Sequence, residues 1–347
     1  ESEEKTYSNP VEAQARKMVE NMTLYEKVGQ MLLYYIPKEE PLKKMARWQF
    51  GGYILFSRNF QNSTPANTRS EIEEYQKASK IPAFMAVDEE GGGVNRVSQF
   101  SQYRSEPFHA GITNYQKGGW QAVEADAKDK SEFMLDLGIN TVLAPVADVP
   151  YSRSNYIYSR AFSTDADSVS EYVSKTVSTM KENNLLSCVK HFPGYGNNGD
   201  THSQIIRDKR KLSTFKSRDL LPFKAGIKAG ADMIMVSHNI VDAFDKKYPA
   251  SLSKKVHKYI RNEMNYDGVI ITDGLGMNGV VDFVGGDKGE AAIKSVLAGN
   301  DMLCANNYKI QYSAVLKAVK DGKIKEKQID ESVKRILILK LNRKIIK

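Results

Sequence analysis

Cysteine is scarce in this sequence, and long apolar stretches are missing from it. Only two of the 347 residues are cysteines. Cys188 and Cys304 each lie in an apolar, strand-like run, which is typical of buried thiols rather than of a disulfide bridge. No apolar run approaches the roughly 18 residues of a membrane span, and no low-complexity tract occurs. The sequence therefore predicts a globular protein without a transmembrane segment, and it does not indicate a redox compartment.

The positive charge of the chain is not gathered into a nucleic-acid-binding pattern. The formal net charge is +8 and the isoelectric point is near 9.1, which favours polyanionic partners. The lysines are scattered among acidic residues, however, without a basic arm or a stripe that interleaves aromatic and basic side chains. We therefore expect no nucleic-acid partner.

Closely spaced metal ligands are also missing. A metal hydrolase built on His191, His202, His238 and Asp200 is one alternative for this sequence. The sequence contains no His-x-His or His-Glu-x-x-His motif, which disfavours that alternative. We predict no metal site and no cofactor.

The first residues are polar and do not include a methionine. The opening Glu-Ser-Glu-Glu-Lys fits a processed secreted or lipid-anchored protein, or a trimmed chain. We expect an extracellular or envelope-associated protein, with the cytoplasm as the alternative location.

Eight short apolar runs recur along the chain, and the segments between them are mostly long enough for a helix. Such runs, without polar alternation, are typical of parallel strands that helices cover. The pattern predicts an α/β protein. Eight units in a chain of this length favour a single (β/α)8 TIM-type barrel over an open doubly wound sheet, which the same alternation permits. The runs span residues 31–36, 52–56, 83–87, 140–144, 185–189, 232–236, 268–271 and 301–304.

Helical periodicity fills the segments between these runs. A capping box in Thr23-Leu24-Tyr25-Glu26 indicates the start of a helix that leads to the first run. Residues 1–20 are expected to form a polar lead-in and a first helix, and residues 21–347 a barrel closed by an amphipathic helix over 329–346. Other helices are predicted over 11–21, 68–79, 123–137, 168–183, 221–230, 253–264 and 288–298.

The segment 190–202 combines a strand end with a polar loop. Lys190 and His191 follow an apolar run, and a proline and three glycines then favour a bend. At its end Asp200 lies two residues from His202, so the carboxylate can accept an Nδ1–H bond and orient the ring for proton transfer. Such a pair also occurs by chance, and the surrounding loop is what favours a catalytic role.

Polar residues follow the apolar runs at the place where the loops of a barrel form one mouth. Any one of them could be a helix cap or a turn. Their recurrence after six runs instead favours a hydroxyl-rich ligand such as a sugar. They are Asp88, Glu89, Glu90 and Arg96; Asp148 and Arg160; Lys190 and His191; Ser237, His238 and Asn239; Thr272 and Asp273; and Asn306 and Asn307.

Two stretches resemble the signatures of a known enzyme family. Lys-His-Phe-Pro-Gly followed by Asp-Thr-His is similar to a motif of family 3 glycoside hydrolases, in the bacterial β-N-acetylglucosaminidase branch. The likeness spans residues 23–302. It implies that His202 is the acid/base and that Asp200 orients it. Asp273 lies in a stretch similar to the family's nucleophile motif, which implies that it is the carboxylate that faces the developing oxocarbenium ion.

The resemblance also extends to residues that would bind the sugar. Five residues match family positions that hold the hydroxyls and the N-acetyl-bearing sugar in the first subsite: Asp88, Arg96, Arg160, Lys190 and His191. Asp148 and His238 are further substrate-binding candidates, because they also follow strand ends.

Two positions depart from the family pattern. Gly93 stands where many relatives carry arginine in a Glu-Gly-Gly-Arg run, so a structural ion pair is expected to be lost. Tyr195 replaces the second histidine of the usual Lys-His-Phe-Pro-Gly-His-Gly. A role that depends on that histidine is therefore not expected in this chain. Neither departure touches the expected acid/base pair or nucleophile.

The resemblance implies a retaining exo-β-N-acetylglucosaminidase that acts on peptidoglycan-derived or related glycans through a covalent glycosyl-aspartate. We expect it to be a monomer. Alternatives within the family are a β-N-acetylglucosaminide phosphorylase and a β-glucosidase. A Schiff-base aldolase or lyase using Lys190 is an alternative from another class, although the surrounding carboxylates should keep that amine charged.

Overall fold

The computed structural model describes residues 9–347, so residues 1–8 of the predicted polar lead-in lie outside the described residues. The first helix is Pro10–Glu20, and the side chain of Asn9 caps it by accepting a hydrogen bond from the Val11 N–H (3.0 Å). The second helix is Leu24–Gln30, and Thr23 and Glu26 form the predicted capping box at its start. This pair of helices leads the chain to the floor of a barrel.

Eight parallel strands form the barrel, which confirms the predicted (β/α)8 fold. Each neighbouring pair in chain order is hydrogen-bonded, and the first strand also pairs with the last, Leu32 opposite Leu303. A bridge between Ile271 and Met302 closes the remaining seam. The strands are β1 (Leu32–Tyr35), β2 (Gly52–Leu55), β3 (Phe84–Val87), β4 (Thr141–Val142), β5 (Leu186–Phe192), β6 (Met233–Val236), β7 (Val269–Thr272) and β8 (Leu303–Ala305).

The strands are buried on both faces, as their unbroken apolar sequences predict. All residues of β2 and β3 are buried, for example, and so are those of β5 through β8. Gly52 is required by close packing, because a Cβ there would lie 2.7 Å from the Leu33 Cδ1 and from the Phe84 Cβ. A tightly packed barrel interior leaves the strand ends as the place for a binding cavity.

Helices surround the barrel and mostly match the predicted ranges. Two helices of eight or more residues were not predicted from the sequence, Pro41–Trp48 and Tyr308–Lys320, and neither were three shorter ones. The predicted helix 123–137 belongs to a longer element that bends at Gly118 and Gly119. The other helices are Ser57–Phe60, Pro65–Ala78, Gly111–Asp136, Ala166–Glu182, Leu212–Thr214, Leu220–Ala229, Lys254–Asn262, Asn278–Val281, Lys288–Ala298 and Glu326–Asn342, with short helical turns at Tyr158–Arg160, Phe215–Asp219 and Ala250–Leu252.

The last helix, Glu326–Asn342, closes the end of the barrel at which the strands begin. Lys340 is fully buried there, and its Nζ donates to the Gln30 Oε1 and to the Gly51 carbonyl, each at 2.9 Å. Burial lowers the pKa of this lysine to about 7. The opposite end of the barrel therefore remains as the open mouth.

A short two-stranded ladder outside the barrel joins the loops after β5 and β6. Its strands are Arg207–Asp208 and Ile240–Val241. Across residues 9–347, no helix combines the length and the apolar character needed to cross a membrane.

Candidate active site

A cavity of about 420 Å³ opens where the strands end. Its walls come from the ends of β1, β2, β3, β5, β6, β7 and β8 and from the segment after β4, as expected for the carboxyl-end mouth of a barrel. Seven of the predicted site residues line it: Asp88, Arg96, Arg160, Lys190, His191, His202 and Asp273. The remaining three, Asp148, Asp200 and His238, support these residues from behind or beside them.

A buried cluster of charges forms one wall of the cavity. The Lys190 Nζ lies 2.9 Å from the Asp88 Oδ1 and 2.6 Å from the Glu90 Oε1. Arg160 donates two hydrogen bonds to Glu90, from Nε (2.9 Å) and from Nη2 (2.7 Å). Because two cations share the Glu90 carboxylate, the free donors and the Asp88 carboxylate are held in fixed positions.

The pKa values within this cluster keep its members charged. Burial alone would raise the pKa of Glu90, but the charges of Lys190 and Arg160 outweigh it and hold that pKa well below its ordinary value. Burial would likewise lower the pKa of Lys190, yet Asp88 and Glu90 raise it above its usual range. A protonated Lys190 is a hydrogen-bond donor rather than a nucleophile, which argues against Schiff-base chemistry.

Asp148 is fully buried and orients His191. Its carboxylate accepts hydrogen bonds from the His191 ring Nδ1–H (2.8 Å), the His191 backbone N–H (3.2 Å) and the Tyr195 N–H (2.7 Å). This fixes the ring so that Nε2 faces Arg160, whose Nη2 lies 3.4 Å away. Asp148 is a predicted substrate-binding residue. In the structure, however, it is His191 that lines the cavity, and Asp148 positions the His191 ring.

His202 lies at the mouth of the cavity in an exposed loop, and the Tyr156 hydroxyl lies between it and Arg160. Its Nδ1 lies 2.6 Å from the Asp200 Oδ1, and its side chain is 58% exposed. The same carboxylate oxygen accepts the His202 backbone N–H at 2.9 Å. Burial would raise the pKa of Asp200, but the hydrogen bonds from His202 lower it overall. Nδ1 is occupied by Asp200, so Nε2 is the nitrogen free for proton transfer.

Two tyrosines hold the loop that carries this pair. The hydroxyl of buried Tyr195 lies 2.7 Å from the Thr201 Oγ1, next to His202 in the chain. Tyr156 stacks edge-on against Tyr195 at 5.5 Å between ring centroids, and its hydroxyl lies 3.5 Å from the His202 Nδ1. The backbone of the loop is also fixed, because the Gly279 N–H donates to the Thr201 carbonyl (2.8 Å). Tyr195 therefore has a structural role in this loop.

Asp273 follows β7 directly and reaches the cavity. Its Oδ1 accepts a hydrogen bond from the Gly274 N–H at 2.7 Å. Burial would raise its pKa, but His191, His238 and the Gly274 N–H outweigh burial and hold the pKa below its ordinary value. The carboxylate is therefore ionised at neutral pH, as a nucleophile must be.

His238 lies behind Asp273 and does not line the cavity. It is fully buried, with Nε2 2.9 Å from the Gly274 carbonyl and Nδ1 2.7 Å from the Ser251 Oγ. Burial lowers its pKa, so the ring is neutral and holds the backbone that follows Asp273. Its predicted role is a substrate contact, whereas in the structure it supports the turn that follows Asp273.

Sequence reasoning did not select Glu90, Tyr35 or Asn306, which also line the cavity. Glu90 is one of the polar residues that follow strand ends, but the sequence does not distinguish it from its neighbour Glu89, which has another role. Glu89 is fully buried and accepts hydrogen bonds from the backbone N–H groups of residues 96–98. Only the fold distinguishes the two carboxylates.

The other departure from the family pattern, Gly93, is sterically open. No atom lies within 4 Å of a Cβ built at this position, so the missing arginine leaves no packing defect. Within residues 9–347 no group of three or more His, Cys, Asp or Glu side chains is arranged to hold a metal ion.

Such a mouth, with an ionised strand-end aspartate and a separate proton-transfer pair, suits a barrel enzyme of the glycoside hydrolase class. The comparisons agree. Residues 23–339 match the glycosyl hydrolase family 3 N-terminal domain, and the chain belongs to this family.

Individual relatives support the same assignment. A β-hexosaminidase of Methylococcus capsulatus is 31% identical over 280 residues, which are 78% of this chain and 80% of that protein. An uncharacterized secreted glycosyl hydrolase of Arthroderma benhamiae is 29% identical over 330 residues, 90% of this chain and 91% of the relative.

A solved structure agrees with the fold and the family. The family 3 β-N-acetylglucosaminidase from Paenibacillus sp. str. FPU-7 is 30% identical and superposes with a TM-score of 0.85. The match covers 93% of this chain and 63% of that chain, so this chain spans less than two thirds of that protein.

Proposed function

We propose that the protein is a retaining exo-β-N-acetylglucosaminidase that releases terminal N-acetylglucosamine from peptidoglycan-derived or related glycans. The observation that carries the proposal is that Asp273 and the Asp200-bound His202 border one cavity. Glycoside cleavage with retention requires two groups, a nucleophile and an acid/base, and these residues supply them.

The buried charge cluster supports binding of a single terminal sugar. Asp88 can accept hydrogen bonds from two neighbouring hydroxyls, while Lys190, Arg160 and Arg96 donate. A cavity of about 420 Å³ suits one pyranose ring. Fixed donors and acceptors around that ring place its anomeric carbon beside Asp273.

In the first step the Asp273 carboxylate attacks the anomeric carbon. The His202 Nε2–H gives its proton to the departing glycosidic oxygen, while the Asp200 carboxylate stabilises the imidazolium that supplies it. The products are a glycosyl-aspartate ester and the free alcohol of the leaving group.

In the second step a water molecule attacks the same carbon. Neutral His202 takes a proton from the water, the ester bond to Asp273 breaks, and the sugar leaves with its original β-configuration. A histidine suits both steps because its ordinary pKa lies near neutrality.

The place of action is also part of the proposal. The relative from Arthroderma benhamiae is described as secreted, and anionic wall material suits a chain of net charge +8. We propose an extracellular or envelope-associated monomer.

The first test compares aryl β-N-acetylglucosaminide with aryl β-glucoside, with and without phosphate, by NMR of the released sugar. We expect faster cleavage of the N-acetyl sugar and free β-N-acetylglucosamine as the first product. Sugar 1-phosphate would instead identify a phosphorylase, and a preference for glucoside would identify a β-glucosidase. The Asp273→Asn variant should lose at least about 10³-fold in kcat while keeping its fold, and near-normal turnover would overturn the mechanism.

A further inference from the structure

We propose that a basic groove beside the active cavity binds a carboxylate-bearing part of the substrate's leaving group. The groove has a volume of about 830 Å³ and lies along the end of β1, the helix Pro41–Trp48 and the start of the helix Tyr308–Lys320. Its cations are Lys38, Lys43, Lys44, Arg47, Arg58 and Lys309. The inference rests on the proposed function, because a leaving group presupposes glycoside cleavage.

The positive charge of this groove is largely uncompensated. Only two acidic residues line it, Glu39 and Glu40, and Lys43 pairs with Glu40 at 3.1 Å. The other five cations form no ion pair with any carboxylate in the described part of the chain, residues 9–347. Elsewhere on the surface, by contrast, Lys77 pairs with both Glu73 and Glu74. A concave surface of one sign attracts ligands of the other.

The groove adjoins the active cavity. Tyr35 and Asn306 line both, so the two spaces share a wall. At this border Arg58 donates from Nη2 to the Ile36 carbonyl (2.5 Å) and lies over the Phe56 ring at 4.9 Å, and Phe56 itself lines the active cavity. A leaving group that emerges from the cavity on this side would meet the groove.

Aromatic rings form part of the groove's surface. The rings of Trp48 and Tyr308 lie 4.1 Å apart, and the Tyr34 ring is 5.4 Å from Trp48. Tyr34 is fixed, because its hydroxyl donates to the Asn306 carbonyl and accepts the Tyr308 N–H, each at 3.2 Å. Rigid aromatic faces pack well against the C–H faces of a sugar ring.

Together these features point to a ligand that is part sugar and part acid. The aromatic surface favours a saccharide or its apolar substituents, and the cations favour carboxylates. A second sugar with an attached lactyl group and a short acidic peptide has both parts. A neutral second sugar has only the first.

The test uses two natural-type substrates that differ in charge. One is N-acetylglucosamine β-1,4-linked to N-acetylmuramyl-L-alanyl-D-glutamate, and the other is N,N′-diacetylchitobiose. The variant Lys38→Glu/Lys309→Glu reverses two exposed charges of the groove. The matched control, Lys224→Glu/Lys255→Glu, makes the same change at exposed positions on other helices.

The measured quantity is the ratio of kcat/KM for the acidic substrate to kcat/KM for the neutral one. We expect this ratio to fall roughly tenfold in the groove variant at low ionic strength, and less than about twofold in the control. The wild-type ratio should also fall as salt screens the groove. Equal ratios in groove variant and control would overturn the inference.

Failure of the proposed function is distinguishable from failure of this inference. If the wild type cleaves neither substrate, the proposed function has failed, and titration calorimetry of the intact acidic substrate still tests the groove. Tighter binding of the acidic than of the neutral compound, lost in Lys38→Glu/Lys309→Glu and kept in the control, would support it. Indistinguishable affinities across the three proteins would overturn it.

Discussion

Two parts of the active site, a buried side around Glu90 and an exposed side around His202, are built in opposite ways. On one side Lys190 and Glu90 are buried, with side-chain exposures of 2% and 5%, and they belong to one network of ion pairs anchored to β3 and β5. On the other side the His202 side chain is 58% exposed and depends on a loop.

This difference separates recognition from proton transfer. A sugar's hydroxyls demand donors and acceptors at fixed places, which a buried, mutually paired cluster provides before the substrate arrives. An acid/base must instead meet both a leaving group and a water molecule, and an exposed histidine has access to both. Substitutions on the buried side and on the exposed side should therefore change the kinetics in different ways.

The largest effect is expected from Glu90→Gln on the buried side. Removing this charge leaves Lys190 and Arg160 without their shared partner and displaces the donors that hold the sugar. Displacing positioning groups by about 1 Å can cost roughly 10²-fold in rate, so kcat/KM should fall by at least about this factor for every substrate. Steady-state kinetics with activated and unactivated glycosides checks this, and a loss confined to poor leaving groups would contradict it.

A smaller and selective effect is expected from His202→Ala on the exposed side. An activated aryl leaving group needs no proton, whereas a sugar leaving group does. The rate of the glycosylation step should therefore fall by about 10²-fold for disaccharides and by far less for nitrophenyl glycosides. Asp200→Asn is the matched variant and should show the same selectivity to a lesser degree. Equal losses for both substrate types would mean that His202 is not the acid.

The two sides should also differ in how pH affects stability. The folded-state pKa of Glu90 lies below its unfolded value of 4.5, so its stabilisation is fully present above about pH 4.5 and declines as pH falls. Relative to Glu90→Gln, the wild type should lose up to about 1.4 kcal/mol of unfolding free energy per pH unit below that point. Thermal denaturation of both proteins between pH 3 and 7 measures it, and a constant difference in unfolding free energy would contradict the ion-pair network.

The smallest effect is expected from Tyr195→Phe, which removes only the hydroxyl that contacts Thr201. Loss of one hydrogen bond costs about 1 kcal/mol, or roughly fivefold in the population of a well-placed loop. We expect a drop of this size in kcat/KM for disaccharides and less for aryl glycosides. A larger, unselective loss would show that Tyr195 supports the buried side through Asp148 instead.

The sequence predicted the strands and helices of the protein more fully than the ion pairs and hydrogen bonds of its active site. All eight strands occur where apolar runs predicted them, because a strand buried on both faces leaves a contiguous apolar signature. The helices Pro41–Trp48 and Tyr308–Lys320 were missed. The first is short and carries three cations, so its apolar face is narrow.

The sequence selected residues that the fold brings to one cavity, but it did not show how they are arranged there. Strand-end position identified Asp88, Lys190 and Asp273, yet it cannot show that Asp148 and His238 turn away from the cavity to support other residues. Those contacts join residues far apart in the chain. Local spacing found the Asp200–His202 pair because both members lie in one short loop.

The pairing of β1 with β8 has a consequence for how the enzyme becomes active. Leu32 meets Leu303 and Tyr34 meets Ala305, so the ring of strands is incomplete until nearly the whole sequence is available. Asp273 lies on the strand next to this last-arriving segment, and the backbone N–H of Cys304 donates to the side chain of Thr272 just before it (3.1 Å). A growing chain on the ribosome therefore cannot complete the surroundings of Asp273 until the most non-local strand pairing of the barrel has formed.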